Sequence, residues 1–285
     1  FCGVIPVNRR YLFAAVVLVI GFTALSAQLF TSGEEFSRDN VDWNGTSDFF
    51  ATLSRTREIW SPEDLGGCRT LLILVPDPDP SRYPAYRSFL NRGNRIILVD
   101  EEGDANPLLM NLSSSLRVVP GNLSSIDSGY NSPSLLRAYR SREDPLLQNV
   151  SVLTMNHPAG VTGGETLADT SILSWMDGDG NARPDRGEVL RAYSVMAREY
   201  TGGGELVVIA DPSLFINGMT PENTLFLENL RSIPDSCVDQ MGSRTISGEI
   251  LPSVLHLIKG TYIMKIALVA SAMFGCALLW WRRHA

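Results

Sequence analysis

The most specific chemical pattern in the chain is a run of oxygen-bearing residues between positions 177 and 188. Side-chain oxygens fall at positions 1, 3, 5, 9 and 12 of this segment, and the main-chain carbonyl at position 7 can add another. The six residues concerned are Asp177, Asp179, Asn181, Arg183, Asp185 and Glu188. Their spacing is that of an EF-hand calcium loop, in which hard oxygens surround the ion and the last Glu binds through both oxygens. The pattern therefore predicts a calcium site that holds the loop in shape and takes no part in catalysis.

Two positions depart from that loop pattern and leave a second interpretation open. Position 6 is Ala182, where the sharp turn favours Gly, and position 8 is Pro184, where the standard loop has an apolar residue. Residues 171–176 also look more like a strand than like the helix that precedes such a loop. The alternative is a solvated acidic hairpin loop in an acidic protein.

A second group of polar residues follows two apolar runs, RIILVD at residues 95–100 and ELVVIA at residues 205–210. Ligands of open parallel sheets bind beyond the carboxyl ends of the strands, so this group is a candidate ligand site. Its members are Asp100, Asp104, Asp211 and Ser213. The more ordinary explanation is turn and helix-capping chemistry, which Asp and Ser perform routinely.

Other catalytic patterns are poorly supported. The chain has three His, of which His256 and His284 lie beside or beyond an apolar terminal segment, so His157 alone could serve a nucleophile. It has no Gly-x-Ser-x-Gly elbow and no Gly-x-x-x-x-Gly-Lys phosphate loop. An extracytoplasmic hydrolase using carboxylates at the carboxyl ends of the strands remains the alternative to a non-catalytic function.

The elements that must position these groups alternate between strands and helices. TLLILV at residues 70–75 is a buried strand, residues 84–91 form a helix, and residues 95–100 form a second strand. This order predicts a parallel right-handed crossover, and residues 205–232 repeat the pattern of strand and helix. Between the two parts lie short strand candidates at 116–119, 151–155, 170–175 and 193–197. We therefore expect an α/β domain with a parallel-sheet core and a β-rich insertion.

Two apolar segments flank this domain. Residues 11–30 carry no charge, and residues 262–281 carry one Lys near their start. Each is long enough to cross a hydrocarbon core of about 30 Å as a helix, and the Arg pairs at 9–10 and 282–283 predict cytoplasmic termini. We expect transmembrane helices within 1–30 and 259–285, an extracytoplasmic domain at 31–258, and membrane lipid as a partner. A cleaved signal peptide is the alternative for the first segment.

The central region is strongly acidic. Residues 31–258 contain 18 basic and 31 acidic groups, a formal net charge of −13. This balance argues against a nucleic-acid partner. Four N-glycosylation sequons, which agree with an outside location, begin at Asn44, Asn111, Asn122 and Asn149. Cys68 and Cys237 could form a disulfide in an oxidising compartment, but spacing alone cannot establish it, and two buried free thiols are the favoured interpretation.

Several stretches together resemble a known family. They are residues 36–50 (FSRDNVDWNGTSDFF), 71–100, 102–109 (EGDANPLL) and 200–217 (YTGGGELVVIADPSLFIN), the last with its helix through residue 229. They are similar to the glutamine-amidotransferase-like domains of archaeal membrane-anchored proteins, related to modules of gliding-motility and intraflagellar-transport proteins. The resemblance implies a flavodoxin-like core. It does not imply amidotransferase activity, because no Cys of this chain follows a buried strand, as the catalytic Cys of that family does.

These observations favour a non-catalytic binding or scaffold module. We expect it to be anchored in the membrane, to belong to an assembly with other membrane or envelope proteins, and to be stiffened by calcium.

Overall fold

The fold is dominated by β-structure. The computed structural model describes residue 21 and residues 34–53, 56–77, 79–127 and 132–242. Its strands in chain order are β1 (Arg57–Ile59), β2 (Thr70–Leu74), β3 (Arg95–Val99), β4 (Arg117–Val119), β5 (Asn122–Ser125), β6 (Leu135–Arg140), β7 (Val152–Asn156), β8 (Gly160–Thr162), β9 (Glu165–Thr170), β10 (Ser174–Asp177), β11 (Ser194–Thr201), β12 (Gly204–Ile209) and β13 (Ser236–Asp239). The α-helices are α1 (Ser47–Ala51), α2 (Tyr83–Asn91), α3 (Asn106–Asn111) and α4 (Thr224–Ser232).

Nine of these strands form one mixed sheet in the order β1-β13-β2-β3-β12-β11-β9-β6-β7. The five strands from β1 to β12 in this order are parallel, and β12, β11, β9, β6 and β7 pair antiparallel. Two further sheets of two strands each pair β10 with β5 and β4 with β8. The apolar runs lie in register at the centre, where Ile97 pairs with Leu72 on one side and with Val207 on the other.

Alternate residues of these central strands enter two separate cores, as the pleat of a strand requires. Ile96 and Leu98 face α2 and α3, where Phe89 and Leu109 are fully buried against them. On the other face, Ile97 and Val99 belong to a core that contains residues of α1 and α4. Helices thus cover both faces of the parallel half, and for that reason its central strands β2, β3 and β12 are largely apolar.

Helix α2 illustrates how local sequence sets these elements. Pro84 lies in its first turn, where no intrahelical N–H bond is lost. Tyr86, Phe89 and Leu90 recur at helical spacing and are buried. The helix ends before Gly93, whose φ of 83° is a left-handed conformation that glycine adopts without strain.

The structure corrects the predicted flavodoxin-like fold. The parallel core exists, but it continues through β11, β9, β6 and β7 into the antiparallel half of the same large sheet. Flavodoxin-like sheets need a crossover connection between each pair of parallel strands, whereas the connections here include short turns such as residues 202–203, which only an antiparallel pair allows. The predicted strand at 170–175 is also divided, since β9 ends at Thr170 and β10 begins at Ser174.

The predicted two-pass membrane arrangement is also contradicted. Within the described ranges no helix has the length and apolar character needed to cross a bilayer. A span needs about 20 apolar residues, whereas the longest described helices, α2 and α4, have 9 residues each. The prediction of flanking spans, cytoplasmic termini and an outer central domain is therefore wrong by this finding. Apart from residue 21, the segments 11–30 and 262–281 on which it rested lie outside the described residues.

Candidate functional site

A cavity of about 420 Å³ lies at the carboxyl ends of β2 and β13. Asp77 and Gln240, which follow these two strands, line it together with Tyr86 of α2. Residues 34–37 line it too, and Asn40 holds this segment by donating its side-chain amide to the carbonyl of Glu34 at 3.0 Å. Segments far apart in the chain therefore meet at the edge of the parallel sheet where ligands of α/β proteins bind.

Two bulky residues of this cavity have a left-handed backbone. Val75, directly after β2, has a φ of 50° and is 43% exposed, and Phe36 has a φ of 58°. A positive φ is rare for β-branched and bulky side chains because the side chain then crowds the backbone. Hydrogen bonds hold both residues in place, since Val75 N–H donates to Val99 at 3.0 Å and Phe36 N–H to Asn44 at 3.0 Å. Strained conformations of this kind concentrate at functional sites.

An acid and a phenol lie side by side in the wall of the cavity. The Tyr86 hydroxyl donates to Oδ2 of Asp239, whose Oδ1 accepts the N–H of Met241 at 2.7 Å. Burial raises the pKa of Asp239 although these hydrogen bonds act to lower it. Burial and the neighbouring Asp239 carboxylate also raise the pKa of Tyr86. Tyr86 therefore stays a hydrogen-bond donor, and the Asp239 carboxyl lies in a poorly solvated position.

Arg82 supplies positive charge at the same cavity. Its Nη1 lies 3.2 Å from Oδ2 of Asp77, and its Nε lies 3.4 Å from Oδ2 of Asp79. The same guanidinium also acts on Asp239, where its positive charge works to lower the pKa of the carboxyl against the effect of burial. The described residues that line the cavity include no His and no Cys. The arrangement thus has groups that can bind a ligand.

The predicted ligand residues after β3 and β12 have other partners. The Asp100 carboxylate accepts the N–H groups of Glu102, Gly103 and Ala105, the last at 2.8 Å, and so organises the turn into α3. Burial raises its pKa. The Asp211 carboxylate is fully buried and accepts the N–H groups of Asn156 and Ser213, each at 2.7 Å. Burial raises the pKa of Asp211 to about 7. None of Asp100, Asp104, Asp211 and Ser213 lines the cavity described above.

Glu101 is a neighbouring acid that sequence reasoning did not single out. One of its carboxylate oxygens is buried and has no hydrogen-bond partner within the described part of the chain. Burial, with smaller repulsion from Asp211, Glu102, Glu35 and Asp100, raises its pKa to about 9. The run of three acids at the end of a strand, Asp100, Glu101 and Glu102, indicates that one of them could be buried. The neighbouring sequence does not indicate which of the three loses its contact with water.

The predicted calcium residues come together in space. Carboxylate oxygens of Asp177, Asp179 and Glu188 lie within 4.8 Å of one another. Asp177 is buried at the end of β10, and it accepts the N–H groups of Gly180 at 2.9 Å and Ala182 at 2.8 Å. Glu188 closes the loop by accepting the N–H groups of Gly178 at 2.8 Å and Asp185 at 2.9 Å.

The donor set fits a hard cation. The side-chain amide of Asn181 donates to both Asp179 and Asp185, which brings the fourth carboxylate near the other three. Ala182 has a φ of 59°, so position 6 adopts the left-handed turn for which the standard loop uses Gly. Each carboxylate offers about four lone-pair sites, so those that accept N–H bonds can still coordinate an ion. As expected from the sequence, a strand (β10) and not a helix precedes the loop.

The remaining sequence candidates are placed as follows. Cys68 and Cys237 form a disulfide with a Cα–Cα distance of 5.9 Å, which resolves the open choice against two free thiols. Asn122 and Asn149 are exposed, whereas Asn44 and Asn111 are half-buried. The side-chain oxygen of Asn44 accepts from Asn40, and that of Asn111 is buried without a partner among the described residues.

Residues 38–230 match the family described as "Domain of unknown function (DUF4350)", and this match covers more than half of the chain. The protein therefore belongs to that family. No curated protein matches the chain.

Three solved structures are similar at low identity. The "mmIFT52 N-terminal domain" is 13% identical with a TM-score of 0.43, and the alignment covers 61% of this chain and 80% of that one. A β-galactosidase from Bacillus circulans sp. alkalophilus is 11% identical with a TM-score of 0.35, covering 59% and 23%. The cytoplasmic protein STM1381 from Salmonella typhimurium LT2 is 11% identical with a TM-score of 0.32, covering 67% and 77%. At these TM-scores the similarities carry no argument about activity.

Sequence reasoning missed Tyr86, Asp239 and Gln240. The predicted strands were those with long apolar runs, whereas β13 reads SCVD and gives no such signal. Because the sequence does not predict β13, it also does not predict that Asp239 lies at the carboxyl edge of the sheet. That position follows from the pairing of β13 with β1 and β2.

Proposed function

We propose that this protein is a non-catalytic binding module whose recognition site is the cavity at the carboxyl ends of β2 and β13. The observation that carries the proposal is the left-handed backbone of Val75 and Phe36, both of which line the cavity. Such a conformation costs about 1–2 kcal/mol for a residue with a side chain. Two residues of the same cavity carry this unfavourable backbone free energy. The best explanation is that a ligand binds to the backbone shape that these two residues produce.

The engagement of the other carboxylates supports binding over hydrolysis. A general acid or base must reach the reacting atoms, but Asp211 is completely buried and bonded to two main-chain N–H groups. Asp100 is likewise committed to three main-chain N–H groups. These two acids stabilise the turns after β3 and β12, a structural use of their carboxylates that supports the proposal of a binding module.

Nuclear magnetic resonance of methyl-labelled protein tests the binding function. Ile73, Leu74 and Val75 line the cavity and report on anything that enters it, whereas the methyl groups of Ile172 lie elsewhere and are 73% exposed. We expect members of a fragment library containing cations, anions and neutral compounds to shift the three cavity residues and leave Ile172 unchanged. If no fragment shifts the cavity methyl groups at millimolar concentration, the cavity is not a recognition site.

We also propose that the loop 177–188 binds calcium as a structural ion. Support comes from the convergence of Asp177, Asp179 and Glu188 and from the left-handed turn at Ala182. Asp179, Asn181 and Asp185 complete a set of hard oxygen donors. The ion would balance the repulsion between the acids and hold the connection between β10 and β11.

A further inference from the structure

We propose that the disulfide between Cys68 and Cys237 controls the shape of the cavity, and that its reduction by a dithiol opens the cavity along β13. The inference rests on the binding function proposed above and names the regulation of that site. Two independent observations carry it. Cys237 lies in a short strand that ends at the cavity, and a guanidinium group lies beside the sulfur of Cys68.

Strand β13 connects the disulfide to the cavity. Cys237 lies in this strand, and the residues that follow it, Asp239 and Gln240, line the cavity. The strand has four residues, and β1, which pairs with it on one side, has three. Short elements near the end of a sheet open locally at a low free energy. The covalent bond to Cys68, just before β2, is therefore an attachment that the pairing of so short a strand does not replace.

Arg57 makes this disulfide easier to reduce. Its Nη2 donates to the sulfur of Cys68 at 3.3 Å and to the carbonyls of Gly66 at 2.6 Å and Asp64 at 2.9 Å, none of which is a carboxylate. Arg57 also lies opposite Cys237 in the register of β1 with β13. A cation beside a sulfur favours the thiolate form of a free cysteine. Cys68 is therefore the better leaving group of the two when the bond breaks.

Reduction by a dithiol takes two steps. A thiolate of the dithiol attacks the Cys237 sulfur, the bond between the two cysteines breaks, and its electron pair leaves on Cys68 as a thiolate beside Arg57. The second thiolate of the dithiol attacks the mixed disulfide and releases Cys237. The dithiol is oxidised to a disulfide, the two cysteines are reduced, and its two protons go to Cys237 and to solvent.

Access to the sulfurs requires a local opening. Cys68 and Cys237 are 5% and 2% exposed, so a reductant cannot reach them in the closed structure. Strand β1 lies at one end of the nine-stranded sheet, and no strand of the described sheet pairs with its outer edge. Opening of β1 uncovers the disulfide without unfolding the central strands. Reduction is therefore slow, and it acts first on the part of the sheet that carries the cavity.

Nitrogen-15 relaxation of the full chain, oxidised and reduced with dithiothreitol, tests the control of the cavity. The reporter is the main-chain N–H of Gln240, which donates to the carbonyl of Ile59 at 2.8 Å. The control is the N–H of Ala210, which donates to Val195 at 2.9 Å in another part of the sheet. On reduction we expect the order parameter of Gln240 to fall from about 0.85 to below about 0.6 and that of Ala210 to stay near 0.85.

The variant Cys68→Ala/Cys237→Ala should behave like the reduced protein and keeps the test valid if reduction is incomplete. If Gln240 stays ordered in both, the disulfide does not control the cavity and the inference is overturned. Equal loss of order at Gln240 and Ala210 also overturns it, since the bond then stabilises the whole fold and not the cavity in particular.

Variants of Arg57 test its role at the sulfur. Arg57→Gln should slow reduction by dithiothreitol about fivefold, and Arg57→Lys should restore most of the rate. Mere damage to β1 would speed reduction instead, because the disulfide would be uncovered more often. Arg69→Gln is the matched control, since it removes the same charge from an 80% exposed side chain that pairs with Asp235, and it should be reduced at the parent rate. Equal rates for Arg57→Gln and Arg69→Gln would overturn the role of Arg57.

The fragment that shifts the methyl groups of Ile73, Leu74 and Val75 most strongly separates this inference from the proposed function. A cavity that is formed about one tenth of the time binds about tenfold more weakly, so we expect that loss on reduction. If the fragment binds equally in both states, the cavity is a recognition site and its redox control is overturned. If no fragment binds in either state, the binding function falls, and the order of Gln240 still decides whether the disulfide controls the cavity.

Discussion

The side-chain amide of Asn223 hydrogen-bonds both main-chain groups of Thr154. Its Oδ1 accepts the Thr154 N–H at 3.0 Å, and its Nδ2 donates to the Thr154 carbonyl at 2.9 Å. Thr154 lies in β7, the strand at one end of the nine-stranded sheet. Asn223 therefore occupies the position of a neighbouring strand, and Asp211 adds a bond to Asn156 of the same edge. Side chains close an edge that would otherwise offer unpaired groups to another chain.

Replacing Asn223 by Ala should lower the free energy of unfolding by about 2–3 kcal/mol. The reason is that Thr154 would keep a buried N–H and a buried carbonyl without partners. Urea denaturation of the two proteins measures the difference. Gln148→Ala, an exposed substitution, is the control and should stay within about 0.5 kcal/mol of the parent. An Asn223→Ala protein as stable as this control would show that the edge closure contributes nothing.

The contribution of Asp211 to stability should fall as the pH rises from about 4 to about 7, because Asp211 is protonated more readily in the folded protein than in the unfolded one. Burial raises the folded pKa to about 7 from 3.8, so the stabilising proton is fully bound below pH 3.8 and is lost as the pH passes 7. One such group contributes a slope of at most ~1.4 kcal/mol per pH unit.

Urea titrations at several pH values, compared between the parent and Asp211→Asn, measure this contribution and cancel the other groups. The difference in unfolding free energy between the parent and Asp211→Asn should change as the pH rises to about 7 and should be constant well above that pH. Asp48→Asn, the same chemical change at an exposed position, should show no such trend. A flat difference for Asp211→Asn would mean that Asp211 keeps an ordinary pKa when buried.

Calcium should raise the melting temperature of the protein, and Asp179→Asn should abolish most of the increase. Asp179 is exposed and hydrogen-bonds only to Asn181 among the described residues, so its loss removes a ligand with little other damage. At a calcium concentration a hundred times the dissociation constant, the stabilisation is about 2.7 kcal/mol. Differential scanning calorimetry with calcium and with a chelator measures it.

Glu228→Gln removes an equal charge outside the loop and serves as the calcium control, whose response should match that of the parent. If Asp179→Asn and the more severe Asp177→Ala both respond to calcium as strongly as the parent protein, the loop is excluded as the binding site. In that case the loop is the solvated acidic alternative.

The bond between Cys68 and Cys237 should contribute about 2–5 kcal/mol to stability, because it closes a very long loop of the unfolded chain. The two residues are separated by 169 positions and are 5% and 2% exposed. Reductant should therefore act slowly on the folded protein and lower its melting temperature once the bond is broken. The variant Cys68→Ala/Cys237→Ala should melt at the lower temperature with or without reductant. Peptide mapping without reduction must find the two cysteines in one linked fragment, or the pairing is wrong.

Much of the local structure could be predicted from the sequence, since local patterns determine it. The apolar runs of β2, β3 and β12 predict strands buried on both faces, because both neighbours of each strand supply hydrogen bonds and helices cover the sheet. The spacing of helix α2 and its stop at Gly93 are equally local. The acidic loop is local as well, so six residues within twelve positions could indicate a calcium site before any fold was known.

The sequence by itself thus determined strands β2, β3 and β12 of the parallel core, helices α2 and α4 and the oxygen-rich loop. Only the tertiary structure decided that β13 lies between β1 and β2, that the core continues into four antiparallel strands, and that the cavity lies beside Tyr86, Asp239 and Gln240. The physical reason is that strand pairing is set by the packing of the whole sheet. A short strand such as β13 is stabilised by its neighbours and not by a pattern of its own.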